Sequence, residues 1–191
     1  MLAAVIGFAS QKAFANIIGG LFILIFKPFR VHDTIEISNN RRGTVEEITL
    51  RHTVIKDYEH KRIIIPNSQI SEETIINSSI TDDKIRKQIE IEIAYTVDID
   101  KASAIIIEEI SKSQFMIDNR TPEDIENGLP LVAINVLKLG VYSITLRANA
   151  WTNNANDAFA LQCEVYKSIK ERFDSENIEI PYPYNNVILK K

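Results

Sequence analysis

The chain opens on an almost unbroken apolar run. From Met1 to Phe26 the only strongly polar side chains are Ser10, Gln11, Lys12 and Asn16. A single helix over this run would be about 39 Å long at ~1.5 Å per residue, enough to cross a hydrocarbon layer of ~30 Å. Lys12 would then sit near the middle, where a charge is costly unless it faces water or protein. The pattern therefore predicts two shorter helices with a break near Gln11–Lys12. The first, Met1 to Ser10, covers only ~15 Å and is rich in small residues, which let helix backbones approach closely in membranes. The second, Ala13 to Phe26, is strongly apolar and carries Ala15 and Gly19 as a small-x-x-x-small pair. It should stop at Lys27-Pro28, because the residue before a proline resists the right-handed helical region. A buried helix of a soluble protein is the competing reading. A signal peptide fits poorly, since no basic segment precedes the apolar run. If the first helix is half a span, further sequence is expected upstream of residue 1.

After Pro28 the period changes from helix to strand. "DTIEIS" (33–38) alternates, with Ile35 and Ile37 on one face. "NNRRG" (39–43) reads as a turn, and "TVEEITLRHTVIKD" (44–57) as a β-branched stretch long enough to bend. "RIIIPN" (62–67) is a short strand ended by Pro66-Asn67, and Ile75-Ile76 a further apolar step after a helical turn or loop. Short strands with tight turns predict a small β-barrel or roll.

A new unit starts near residue 81. "IRKQIEIEIAYTVD" (85–98) places Ile89, Ile91, Ile93 and Tyr95 on one face. Residues 98–113 read as a helix with Asp98 as N-cap and Ala102, Ile106 and Ile110 on its inner face. Two strands (130–140 and 141–151) meet at Leu139-Gly140. A second helix (156–177) has Asn156 or Asp157 as its cap and Leu161, Val165, Ile169 and Phe173 as its inner stripe. "IEIP" (178–181) completes a β-α-β-β-α-β order, the ferredoxin-like arrangement. "VILK" (187–190) reads as a strand without a partner of its own, which is not stable alone.

Charge sharpens this division. Residues 1–30 hold Lys12, Lys27 and Arg30 and no acid, leaving 19 basic against 26 acidic side chains elsewhere in a chain of net charge −4. A basic apolar head on an acidic body fits a head at a membrane and a body in water, and argues against nucleic acid as partner. By the positive-inside rule, Lys27 and Arg30 place that end of the helix in the cytoplasm. Cys163 is the lone cysteine, so no intrachain disulfide forms, and its helical setting predicts a buried small hydrophobe.

Chemistry is sparse. His32, His52 and His60 lack metal-ligand spacing. No G-x-S-x-G, P-loop or G-x-G-x-x-G occurs, and Gly19-Gly20 lies inside an apolar helix, where close packing explains it better than phosphate binding. No enzyme, cofactor or metal site is expected.

"GFASQKAFANIIGGLFILIFKPFRVHDTIEI" (7–37) resembles the third transmembrane helix and first β-strand of the small-conductance mechanosensitive channel (MscS) family. "GTVEEITLRHTVIKD" (43–57), "IIIPNSQI" (63–70) and "IIN" (75–77) resemble its middle β domain. "YTVDIDKA" (95–102) and "IEIPYPYNNVILK" (178–190) resemble its C-terminal domain. The resemblance implies an α+β channel fragment that begins within the third transmembrane helix. Its divisions would be a kinked pore-lining and interfacial helix (1–28), a small Sm/SH3-like β-barrel domain (29–80), a ferredoxin-like domain (81–181) and a strand (182–191) in a barrel shared between subunits.

The resemblance further implies a homo-oligomer, a heptamer in the usual case, that opens under tension and releases ions and small solutes in hypo-osmotic shock. It would sit in a bacterial-type inner membrane, among its lipids, with residues after about 27 in the cytoplasm. Ala4 and Phe8 would form the apolar constriction, a Phe8 ring being the better seal by dewetting. Ala3, Gly7 and Ser10 would pack neighbouring pore helices, with Gly19 and Gly20 as further close-packing positions. Gln11 and Asn16 match polar positions around the kink, and Pro66-Asn67 belongs to the β-domain motif. Two residues depart from the pattern. Lys12 and His32 stand where glycine is common, so the kink needs another cause and a different turn is expected at His32. A Lys12 ring at the pore mouth would favour anions. The alternative is a soluble homo-oligomeric binding or scaffold module derived from such a channel.

Overall fold

The computed structural model describes residues 2–38 and 41–183, with side chains from Ser10 onward. The chain divides into two compact units, Met1–Asp83 and Lys84–Lys191.

The first unit begins with one unbroken helix, α1 (Leu2–Phe26). The expected break at Gln11–Lys12 is absent. Neither residue is a helix breaker, and no proline or glycine stands there to interrupt the ladder. The next turn reinforces it, since Asn16 Nδ2 donates to the Lys12 carbonyl at 2.9 Å. The expected stop does occur. Lys27 adopts φ 48° and its N–H reaches the Ile23 carbonyl at 2.9 Å, so a left-handed residue closes α1 directly before Pro28.

Five strands follow: β1 (Thr34–Ile37), β2 (Arg41–Ile48), β3 (His52–Lys56), β4 (Arg62–Pro66) and, after the single turn α2 (Asn67–Ile70), β5 (Ile75–Asn77). All pairings are antiparallel, in the order β4-β3-β2-β1-β5. Arg41, Arg42 and Gly43 belong to β2 rather than to the expected turn. The stretch 44–57 is a hairpin rather than one bent strand. Thr49 Oγ1 accepts from the N–H groups of Arg51 and His52, so a threonine makes the turn without glycine or proline.

The expected barrel is an open sheet, for β4 and β5 are its edges and do not pair among the described residues. β4 ends at Pro66, which has no N–H, and β5 has only three residues, so little backbone is left to close the ladder. Ile35, Ile37, Val45, Ile55, Ile65 and Ile70 form the core, which Ile23 of α1 and Phe29 enter.

The second unit contains β6 (Ile85–Ile93), α3 (Ile99–Lys112), β7 (Met116–Ile117), α4 (Pro122–Glu126), β8 (Ala133–Leu139), β9 (Ile144–Thr152) and α5 (Ala155–Ser175). β9 is the hub strand. It pairs antiparallel with β6 along its whole length, and with β8 and then β7 on its other edge. Ile89, Ile91 and Ile93 meet Ala102, Ile106 and Ile110 of α3 and Leu161, Val165, Ile169 and Phe173 of α5 in one core. Tyr95, expected on that face, is half exposed and donates its hydroxyl to the Gly140 carbonyl.

Asp98 caps α3 through the N–H groups of Asp100 and Lys101. The cap of α5 is Asn154, not Asn156 or Asp157, because the helix already begins at Ala155. Residues 178–181 are not a strand. Ile178 is buried, and Ala94 N–H donates to the Glu179 carbonyl, but the segment forms no regular ladder and Pro181 ends its capacity to donate. Cys163 is exposed rather than buried, since it lies off the Leu161–Val165–Ile169 stripe. The expected strand 187–190 lies outside the described residues.

Candidate functional site: a helix docked on a polar clamp

The first unit holds α1 by an unusual contact. Its inner face is Asn16, Gly19, Gly20 and Ile23, a narrow stripe at helical spacing. Two of these four positions have no side chain. A Cβ on Gly19 would come within 2.8 Å of the Asn67 backbone, and one on Gly20 within 2.6 Å of the Leu50 carbonyl. The helix backbone therefore rests directly on the β2–β3 turn and on the start of α2.

Asn16 fastens the same contact. Its Oδ1 accepts from Ser68 N–H at 3.1 Å and from Ser68 Oγ at 2.8 Å. Beneath it, Asn67 is completely buried. Its Oδ1 accepts from Thr53 Oγ1 at 2.9 Å, its Nδ2 donates to the Thr49 carbonyl at 2.8 Å, and its backbone N–H reaches the Arg51 carbonyl at 3.0 Å. A buried amide satisfied in this way fixes geometry, because each bond lost would leave a buried polar group unpaired.

The far end of α1 is tied too. Asn77 Nδ2 donates to Asp33 Oδ2 at 2.8 Å and to the Pro28 carbonyl at 3.2 Å. His32, in this connector, has φ 79°, in the region that favours glycine, while its N–H bonds the Val45 carbonyl. The Arg62 guanidinium grips Glu46 across the sheet at 2.9 and 3.0 Å and holds that carboxyl below its usual range.

The outer face of α1 is apolar and uncovered in the single chain. Phe14, Ile18, Phe22, Ile25 and Phe26 are each more than half exposed. Among the described residues no helix is long and apolar enough to cross a membrane.

The structure thus brings Asn16, Gly19, Gly20 and Asn67 into one contact, with Pro66 at the end of β4 lining the groove beside it. Ser10, Gln11 and Lys12 lie on the same helix, with Gln11 and Lys12 exposed. The side chains of Ala3, Ala4, Gly7 and Phe8, which carry the constriction and packing assignments, lie outside the described residues. Ser68, Thr49 and Thr53 complete the clamp without having been singled out. Their signal is slight, for serine and threonine beside a proline or in a turn are common everywhere.

An apolar helix seated on an open β-sheet, followed by an α/β unit with two helices on a β9-centred sheet, is an α+β arrangement. Residues 12–80 match the mechanosensitive ion channel beta-domain, and residues 88–180 the C-terminal domain of the mechanosensitive ion channel MscS. An MscS family protein of Synechocystis is 33% identical over 184 residues, covering 96% of this chain and 58% of its own length. The miniconductance mechanosensitive channel MscM of Escherichia coli is 30% identical over 182 residues, 93% of this chain and 15% of its own. The crystal structure of Helicobacter pylori MscS in its closed state superimposes with a TM-score of 0.84 at 23% identity, over 100% of this chain and 70% of that one. This chain belongs to the MscS family of mechanosensitive channels. It spans little more than half of the Synechocystis relative, and far less of MscM.

Proposed function

We propose that this chain supplies the pore helix and the cytoplasmic vestibule of a mechanosensitive channel, opening under membrane tension to pass ions and small solutes in hypo-osmotic shock. The observation that carries it is the docked helix. An apolar helix with an uncovered outer face is seated by glycine contacts and an asparagine clamp on a domain that matches the channel beta-domain throughout. Such a seat passes force from lipid to sheet without a flexible joint.

In this reading α1 meets lipid or neighbouring subunits, its C-terminal end with Lys27 and Arg30 faces the cytoplasm, and the chains form a ring, with seven as the expected number. Ala4 and Phe8 constrict the pore; Ala3, Gly7 and Ser10 pack neighbouring helices. Gln11 and Lys12 lie exposed within the unbroken helix. The strand at 187–190 joins copies from the other subunits.

The test is patch-clamp recording of the chain, fused to its natural upstream sequence where one exists, in liposomes under suction. Stepwise, tension-dependent conductance is expected, with Phe8→Ser conducting at lower tension or without any. A chain that stays monodisperse without detergent and never conducts would establish the soluble-module alternative instead.

A further inference from the structure

Lys12 of α1, Arg51 of the β2–β3 turn and His52 at the start of β3 come together around one groove of about 510 Å³, with Ile64 and Pro66 as its apolar wall. No acidic residue lines it, and no ion pair among the described residues engages the side chain of Lys12 or Arg51. His52 Nδ1 is enclosed and has no hydrogen-bond partner. Two unpaired cations converging on one concavity repel each other, and an enclosed ring nitrogen without a partner is unusual in a finished core. The repulsion is relieved by an anion in the groove.

We propose that this groove binds a phosphate group. A phosphate offers several acceptor oxygens, enough to serve Lys12 and the Arg51 fork together. A carboxylate has fewer. The chemistry is shared by two sources, a phospholipid headgroup and a soluble phosphate ester. The site stands on the groove alone and does not require the channel reading. It also gives Lys12 a role other than a charge in the pore mouth.

The test uses the full chain in a neutral detergent. Heat of binding is measured on titration with inorganic phosphate and with glycerol phosphate. Separately, the chain is floated with phosphatidylcholine vesicles made with or without phosphatidylglycerol. The pair Lys12→Gln/Arg51→Gln is expected to weaken binding about tenfold or more, two charge-assisted contacts being lost. The pair Arg86→Gln/Lys138→Gln, exposed and in the other unit, should leave it unchanged. Arg51→Gln alone repeats the comparison if the double variant loses its circular-dichroism spectrum. Binding of soluble phosphate that the groove variants lose assigns a soluble ester; loss seen only in phosphatidylglycerol-dependent flotation assigns a headgroup. No binding in either arm, or an equal loss in the control pair, overturns the proposal.

Discussion

The two units hold their helices in opposite ways. In the second, α5 turns Leu161, Val165, Ile169 and Phe173 inward, all at most 2% exposed. Its outer face is mostly polar, with pairs such as Lys170–Asp174 along it. In the first, α1 turns two glycines, one asparagine and a single isoleucine, Ile23, inward and leaves Phe14 and Phe26 more than 60% exposed. The α5 contact is an area contact, driven by burial. The α1 contact is a close approach fixed by hydrogen bonds, and it leaves the larger apolar surface for something else to cover. One helix is finished by its own domain; the other is presented by it.

The contrast is broken most directly at the phenylalanines. Phe173→Ala removes a fully buried ring and should cost about 3–5 kcal/mol in denaturant unfolding of the second unit. Phe22→Ala removes a ring of the same size, stacked only on Phe26 at 5.7 Å, and should change stability in detergent by no more than ~0.5 kcal/mol. Comparable losses at the two sites would mean that α1 is held by area after all.

The next effect isolates the clamp. Asn67→Ala strips partners from Thr53 Oγ1 and the Thr49 carbonyl, at a cost of about 1–3 kcal/mol for the buried groups left unpaired. Hydrogen exchange should show α1 and the 49–53 turn losing protection together, while α5 keeps its own. Gly20→Ala should produce the same pattern by steric means, since its Cβ would meet Leu50 backbone. If α1 stays protected in both variants, the clamp does not hold it.

Much of the α5 side was legible from periodicity alone. Its four-residue stripe and the alternation of Ile89, Ile91 and Ile93 are local patterns with one reading each, because each element buries one face. The α1 side was legible only in outline. Three of its four inner positions are glycine or asparagine, which carry no hydrophobic signal, and Ile23 alone does not mark the docking face in an apolar run. Lys12 pointed to a break on the assumption that the helix lies in hydrocarbon throughout. In the folded unit it lines a groove and the helix runs straight through it. The hairpin turn at Thr49–Arg51 was hidden because a threonine hydroxyl, not glycine or proline, makes it. The barrel closure and the strand at 178–181 failed for a common reason. Alternating apolar residues announce a strand's faces but not whether a partner backbone lies beside it. His32 is the converse case. Only the resemblance marked its position as one where glycine is common, and φ 79° shows why.

The smallest effect concerns acid, and it extends the comparison to charge. Each unit has an arginine holding a carboxylate on its surface: Arg62 on Glu46 in the first, Arg120 on Asp118 in the second. The bonds from Arg120, first through its side chain and then its backbone N–H, lower Asp118 from 3.8 to about 2. A carboxyl whose folded value is depressed stabilises the fold above its unfolded value, and that contribution is lost as pH falls from about 3.8 towards 2. Both groups lie at the surface, so solvent screens the pair and the effect on the midpoint is small. Arg120 also donates to the Leu129 carbonyl at 3.0 Å and thereby closes the loop that carries α4. Asp118→Asn should therefore flatten the acid limb of the unfolding midpoint between pH 2 and 4 for the second unit only, read by hydrogen exchange within residues 113–130. Glu46→Gln should act on the first unit alone, across the range just below the usual carboxylate value of 4.5. A change in both units from either variant would show that their acid responses are coupled, and the two ways of holding a helix would then no longer be separable by charge.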